Sequence, residues 1–200
     1  MDTNTQAKIL LASASPRRRE LLNQIGVPHD VLAVDVDEAA RAGESPEVFV
    51  QRLAMEKAAA GFLRQDSANK LLSLGADTIV LLGDQILGKP KDKNDGYAML
   101  KSLSGETHQV FTAVAMANAD KSLSLLSRSK VTFRTLTDEE IAAYWDSGEP
   151  LDKAGGYAIQ GLAAQFIRKL DGSYSGVMGL PLFETAELLK DFGMRILGNK

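Results

Sequence analysis

The sequence predicts an α/β fold: a mixed central sheet with a large antiparallel share and flanking helices, forming a single domain over 1–200 built as two lobes around a cleft. Three observations carry that expectation. The chain opens as strand, helix, strand; its middle holds two long alternating runs joined by a polar turn; and the helical stretches fall irregularly among the strands rather than one after each. With 44% apolar and 24% charged residues, 200 residues can bury a full core, which sets aside disordered and membrane classes.

The elements follow in order. Ile9-Leu10-Leu11-Ala12 lies in a strand Lys8–Ser13. Ser15 as N-cap and Pro16 as first helical residue then start a helix Pro16–Ile25, stopped by Gly26. Asp30–Val36 alternates as a second strand. Ser45-Pro46-Glu47 opens a helix running to Gln65, on which Val48, Leu53, Ala54 and Ala58 share a face. After a polar break, Leu74–Leu82 turns at Gly83-Asp84 into Gln85–Leu87, a hairpin closed by Lys89-Pro90. Helix Asn94–Leu103 ends near Ser104-Gly105, and His108–Ala117 pairs with Leu123–Thr135 across Asn118–Lys121. Thr137-Asp138-Glu139-Glu140 reads as a capping box for a helix through Asp146. Gln165–Leu170 and Tyr174–Met178 flank Asp171-Gly172 as a further hairpin, and Pro181–Phe192 forms the last helix.

Composition narrows the chemistry. No cysteine is present, so thiolate nucleophiles, cysteine zinc sites and a disulfide scaffold are excluded. His29 and His108 have no histidine four residues away and read as structural. The opening Met1-Asp2-Thr3-Asn4-Thr5-Gln6 lacks the basic and apolar regions of a secretory signal, and no apolar run approaches a membrane span, so the expected location is the cytoplasm, with no membrane partner. A net charge of −3 gives no general attraction to nucleic acid. Against that background Ser13-Ala14-Ser15-Pro16-Arg17-Arg18 stands out. It puts a helix N-terminus and two guanidinium groups at one strand-to-helix junction, which suits a phosphate.

Asp77, in Gly75-Ala76-Asp77-Thr78, sits at the mouth of an apolar strand. A carboxylate withdrawn from water needs a partner, which makes Asp77 the candidate base. Alternation sends Asp77 and Thr78 to opposite faces unless the strand ends between them. Lys57, Lys89 and Lys153 together could neutralise a polyphosphate, and Asp37-Glu38 with Asp77 could hold magnesium or manganese. Each of these, taken singly, also fits a solvated surface charge. Neither the Gly-x4-Gly-Lys-Ser/Thr loop nor the dinucleotide fingerprint occurs.

In order and spacing these residues resemble the Maf family of nucleotide pyrophosphatases over nearly the whole chain. The match takes in Ser13-x-Ser15-Pro16-Arg17-Arg18, Asp37-Glu38, Lys57, Gly75-Ala76-Asp77-Thr78, Gly88-Lys89-Pro90, Leu103-Ser104-Gly105-x-x-His108-x-Val110, Asp152-Lys153-Ala154-Gly155 and Tyr157-Ala158-Ile159-Gln160-Gly161. The resemblance implies a Maf/Ham1-like fold and hydrolysis of a nucleoside triphosphate between its α and β phosphates, with a divalent cation, in a cytoplasmic homodimer. It implies catalytic roles for Asp77, Lys57, Lys89 and Arg18, a phosphate-directed hydroxyl on Ser13, and Glu38 with Asp77 as metal ligands. Arg17, Thr78 and Gln160 resemble the specificity set of the branch acting on dTTP and UTP; the sister branch acting on 7-methyl-GTP carries glutamate in place of Gln160. An amide offers a uracil edge both a donor and an acceptor, which an ionised carboxylate does not. Gly156, where relatives often carry alanine, would loosen the loop before Tyr157. The alternatives are a 7-methyl-GTP-type enzyme, a non-catalytic nucleotide-binding regulator of septum formation, and a phosphatase releasing inorganic phosphate.

Overall fold

The structure, a computed structural model, describes residues 8–66, 70–194 and 196. The N-terminal hexapeptide and part of the polar break before the third strand lie outside them. Strands β1 (Ile9–Leu11), β2 (His29–Val31), β3 (Leu72–Leu82), β4 (Gln85–Leu87), β5 (Thr107–Ala117), β6 (Ser122–Phe133) and β7 (Ile167–Asp171) form one mixed sheet. Its order is β2-β1-β3-β5-β6-β7, and β4 pairs β3. The helices are α1 (Pro16–Gln24), α2 (Pro46–Leu63), α3 (Lys93–Leu103), α4 (Asp138–Asp146), α5 (Tyr174–Met178) and α6 (Leu182–Asp191). The opening is parallel, with Ile9 opposite both His29 and Leu72, whereas β4 on β3 and β7 on β6 are antiparallel. The expected α/β fold with a mixed sheet is therefore present. None of the helices among the described residues is long and apolar enough to cross a membrane.

The chain divides into two units. The first comprises Met1–Asp77, Thr112–Leu126 and Gly179–Lys200; the second comprises Thr78–Phe111 and Ser127–Met178. In the first, Ile9, Leu11, Leu22, Leu53, Leu74 and Met116 are buried. Small residues bring α2 very close to the strands beneath it. A Cβ on Gly61 would lie 2.5 Å from the Ser73 hydroxyl and 2.6 Å from the Ala12 Cβ. A Cβ on Gly75 would lie 2.4 Å from both the Ala54 carbonyl and the Ala58 amide nitrogen. Real side-chain contacts do not reach such distances, so glycine at these two positions is what permits the approach.

In the second unit Val80, Leu100, Val110, Val131, Phe133, Ile141, Tyr157 and Phe166 form a continuous core. Helix starts follow the sequence signals. Ser45 caps α2 at the Val48 amide, and the Thr137–Glu140 capping box closes in both directions at α4. At α3, Asp92 caps the Asp95 amide, so the helix begins at Lys93, one residue before the expected start. Ser15 does occupy the N-cap of α1, but its side chain makes no capping bond.

Two expected strands are corrected. The second is confined to His29–Val31, and the chain from Leu32 to Ser45 is irregular. The expected hairpin around Asp171-Gly172 does not form: Leu162–Phe166 is 3₁₀, Ile167–Asp171 pairs β6, and Tyr174–Met178 is α-helical. Ser173 explains the switch, since its hydroxyl accepts from the Gly176 amide at 2.9 Å and its carbonyl from Val177 at 3.0 Å, starting a helix where a return strand was expected.

Candidate active site

The close approach of α2 to β3 sets the central feature of the first unit. Gly75 and Asp77 are two residues apart in β3, so both point toward α2, and Gly75 leaves room for Lys57 to meet the carboxylate. Lys57 Nζ donates to Asp77 Oδ1 at 2.7 Å and to Glu38 Oε1 at 2.6 Å. Both the Lys57 and Asp77 side chains are only 12% exposed, so Lys57 is an enclosed bridge between two carboxylates rather than a solvated charge.

Burial raises the Asp77 carboxyl above its ordinary value; the Lys57 ammonium and the Arg18 guanidinium pull the other way, and the nearby Glu38 charge adds to the rise. Burial likewise lowers Arg18, opposed by Asp77 and assisted by Arg17. An arginine so shifted still stays charged at neutral pH. Arg18 is fixed from two sides: its Nε donates to the Gly179 carbonyl at 2.8 Å and its Nη1 to Ser13 Oγ at 3.1 Å. Ser13 Oγ also accepts from the Ser15 amide at 3.2 Å, so the buried hydroxyl accepts two bonds while keeping its own proton to donate.

Glu38 comes from the irregular stretch after β2, and the means of holding it there was not legible in the sequence. Arg52 on α2 donates to the Ala39 carbonyl at 3.0 Å, to both Glu44 carboxylate oxygens at 2.6 and 2.8 Å, and to Glu56 at 3.2 Å. The loop is thus fastened one residue past Glu38. The spacing of Arg52 and Glu56 on one helix was the only available signal, and it foretells a helix-face pair, not a loop anchor. Asp37 Oδ1 accepts from the Ala39 amide at 3.0 Å in a local turn, which shapes the loop on the side of Glu38 away from α2's anchor.

Ser13, Arg18, Glu38, Lys57 and Asp77 are accordingly brought together, with Arg17 half-buried beside Arg18. Asp77 is not at a strand mouth as expected: β3 runs from Leu72 to Leu82, with no end between Asp77 and the half-buried Thr78. The two carboxylates meet at a point already suited to positive charge. Among the described residues no group of three or more His, Asp or Glu side chains is placed to hold a metal.

In the second unit Lys89 is exposed on the segment leaving β4. The Gly155 amide donates to the Gly88 carbonyl at 3.0 Å, linking that segment to the one carrying Lys153. Gly155 and Gly156 both take positive φ, at 69° and 68°, so Gly156 serves a left-handed bend rather than a loosened loop. Gln160 is exposed in the turn between Ala158 and Gly161, whose amide donates to the Ala158 carbonyl at 3.1 Å. His108 is structural, as expected: it is buried, its Nε2 lies 2.8 Å from the Tyr157 hydroxyl, and burial lowers it to about 4.

The mixed sheet with its arginines at the first strand-to-helix junction defines an α/β protein with a cationic junction, and similarity to known proteins gives its family. A family model described as Maf-like protein matches residues 8–192, and the chain belongs to the Maf family. It is 55% identical over 195 residues to a protein of Alkalilimnicola ehrlichii named dTTP/UTP pyrophosphatase, covering 96% of both chains. Proteins with the same name from Saccharophagus degradans, at 54% over 98% of this chain and 94% of that one, and from Pseudoalteromonas atlantica, at 53% over 90% and 95%, are also similar. Among solved structures, the Staphylococcus aureus Ham1 protein aligns over 92% of this chain and 97% of its own, with a TM-score of 0.49 and 14% identity.

Proposed function

We propose that this chain is a nucleoside triphosphate pyrophosphatase that hydrolyses dTTP and UTP to the monophosphate and pyrophosphate. The observation that carries the reading is the bridge of Lys57 between Asp77 and Glu38, with Arg18 held against Ser13 on the adjoining helix. The name borne by relatives at about half identity supports it. Phosphoanhydride hydrolysis asks for charge neutralisation and a positioned water, with little covalent machinery, and these residue types supply both.

In this reading Asp77 accepts the proton of the attacking water as its oxygen bonds to phosphorus and the α–β bridging bond breaks toward pyrophosphate. The raised carboxyl of Asp77 suits a proton acceptor. Arg17, Arg18, Lys57 and Lys89 neutralise the phosphates, and the free proton of Ser13 donates to a phosphate oxygen. Within the cluster each carboxylate is already matched by Lys57 or Arg18, so a triphosphate brings charge that asks for a further cation. Glu38 and Asp77 fit magnesium or manganese, which commonly takes one or two protein carboxylates together with substrate phosphates; an aspartate on such a cation is a poorer base, so there Asp77 would position the water rather than take its proton. Such a cation would neutralise the phosphates and acidify water when bound. Gln160 selects the base, its amide matching the uracil or thymine edge; Thr78 follows Asp77 within the unbroken β3 and so faces away from it, which leaves Thr78 without a place beside that carboxylate. The same reading places the enzyme in the cytoplasm, as a homodimer.

The test is incubation of the purified chain with magnesium or manganese and a panel of triphosphates, with all phosphorus-containing products resolved. Monophosphate and pyrophosphate from dTTP and UTP are expected. Binding without products, inorganic phosphate as the product, or preferential turnover of 7-methyl-GTP would each overturn the proposal.

A further inference from the structure

The turn that displays Gln160 is held at both ends by one carboxylate. Glu149 Oε2 accepts from the Leu162 amide at 2.8 Å, and Glu149 Oε1 accepts from the Ala163 amide at 3.2 Å. Oε1 also accepts from the Tyr144 hydroxyl at 2.9 Å, and that hydroxyl in turn accepts from the Ala158 amide at 3.3 Å. The residue before Ile159-Gln160 and the two residues after Gly161 are therefore tied to the same side chain, one of them through a phenol. Burial and the Glu149 carboxylate raise the Tyr144 phenol, so it remains protonated and able to donate. Gly161 completes the arrangement, since a Cβ there would lie 2.3 Å from Glu149 Oε2. Gly148, at φ 76°, takes the left-handed conformation that ends the turn after α4 just before Glu149.

We propose that Glu149 is a positioning residue for base selection: with Tyr144, it fixes the turn that sets how far the Gln160 amide reaches, and so selects pyrimidine over purine. This rests on the assignment of base reading to Gln160. Uracil presents a carbonyl acceptor beside an N–H donor, and guanine presents the same pair at the edge of a larger ring system. Gln160 can match either pattern, so discrimination between the two depends on where the amide stands rather than on what it offers. A fixed turn supplies that distance, and a loosened one does not. Three N–H or O–H donors converge on the Glu149 carboxylate, and glutamine, with a single acceptor oxygen and two N–H groups of its own, cannot satisfy all of them.

The experiment measures kcat/KM for UTP and for GTP in the wild type, Glu149→Gln, Gln160→Ala and the double variant, with Tyr144→Phe in parallel. Glu149→Gln is expected to lower the UTP-to-GTP ratio by about tenfold, in keeping with the loss of one hydrogen bond to a charged group. That effect should vanish in the Gln160→Ala background. Tyr144→Phe should shift the ratio in the same direction by a smaller factor, and it decides the matter if Glu149→Gln does not fold. Equal losses on both substrates, or a shift that persists without Gln160, would overturn the positioning role. A ratio unmoved by Gln160→Ala itself would instead overturn the assignment of base reading to Gln160, and the role of Glu149 with it.

Discussion

Asp77 is a carboxylate enclosed in a β-strand and answered by Lys57, and burial outweighs that answer in setting its proton affinity. Its carboxyl therefore stays protonated to a higher pH than an ordinary aspartate, which titrates near ~3.9. In the metal-free protein this shows in stability, because ionising a group whose folded pKa exceeds its unfolded one costs folding free energy as pH rises past the unfolded value. Asp77→Asn should cut kcat by at least about a hundredfold, the scale of a lost general base, while nucleotide affinity changes little. Near-normal turnover in that variant would take Asp77 out of the mechanism. The residue was legible as a candidate from sequence because charge in an apolar run is costly. Its partnership with Lys57, twenty positions earlier, was not, since nothing local to either residue records the other.

At the level of elements, the seating of α2 on β3 decides whether that pair exists. Gly75 has no space for a methyl group against the α2 backbone, where neither neighbouring atom is a flexible side-chain end that could swing away. Gly75→Ala should lower unfolding free energy by about 1 to 3 kcal/mol, the cost of overpacking against rigid backbone, and should reduce activity by separating Lys57 from Asp77. Urea unfolding alongside turnover checks this, and unchanged stability would show that α2 can shift freely. Sequence cues did well at helix starts, where caps act over three or four residues: Ser45-Pro46 and Thr137–Glu140 both behave as written. They failed around Asp171-Gly172. The dipeptide marks a turn, but the Ser173 hydroxyl and carbonyl commit the following residues to a helix.

For the molecule as a whole, His108 shows how the fold spends a titratable group on packing. It lies in edge-to-face contact with Phe133 and Tyr157, and burial lowers its pKa from 6.5 to about 4. The unfolded chain takes up the proton first as pH falls, so this contribution to stability is complete above the unfolded pKa and is lost on descending toward the folded one. Relative to His108→Leu, the wild type should therefore lose about 2 to 3 kcal/mol of stability between pH 7 and pH 4.5, at ~1.4 kcal/mol per pH unit. A pH-independent difference would mean that the ring protonates freely in the folded state. By itself the sequence determined the fold class, most helix boundaries, the family, and the residues Ser13, Arg18, Glu38, Lys57 and Asp77 as candidates, because these are written in local spacing and residue chemistry. Only the tertiary structure decided that Lys57 bridges two carboxylates, that Arg52 anchors the loop of Glu38, and that Glu149 grips the turn of Gln160. Those are contacts between segments remote in sequence, fixed by how closely small residues let backbones approach and by where buried donors find acceptors.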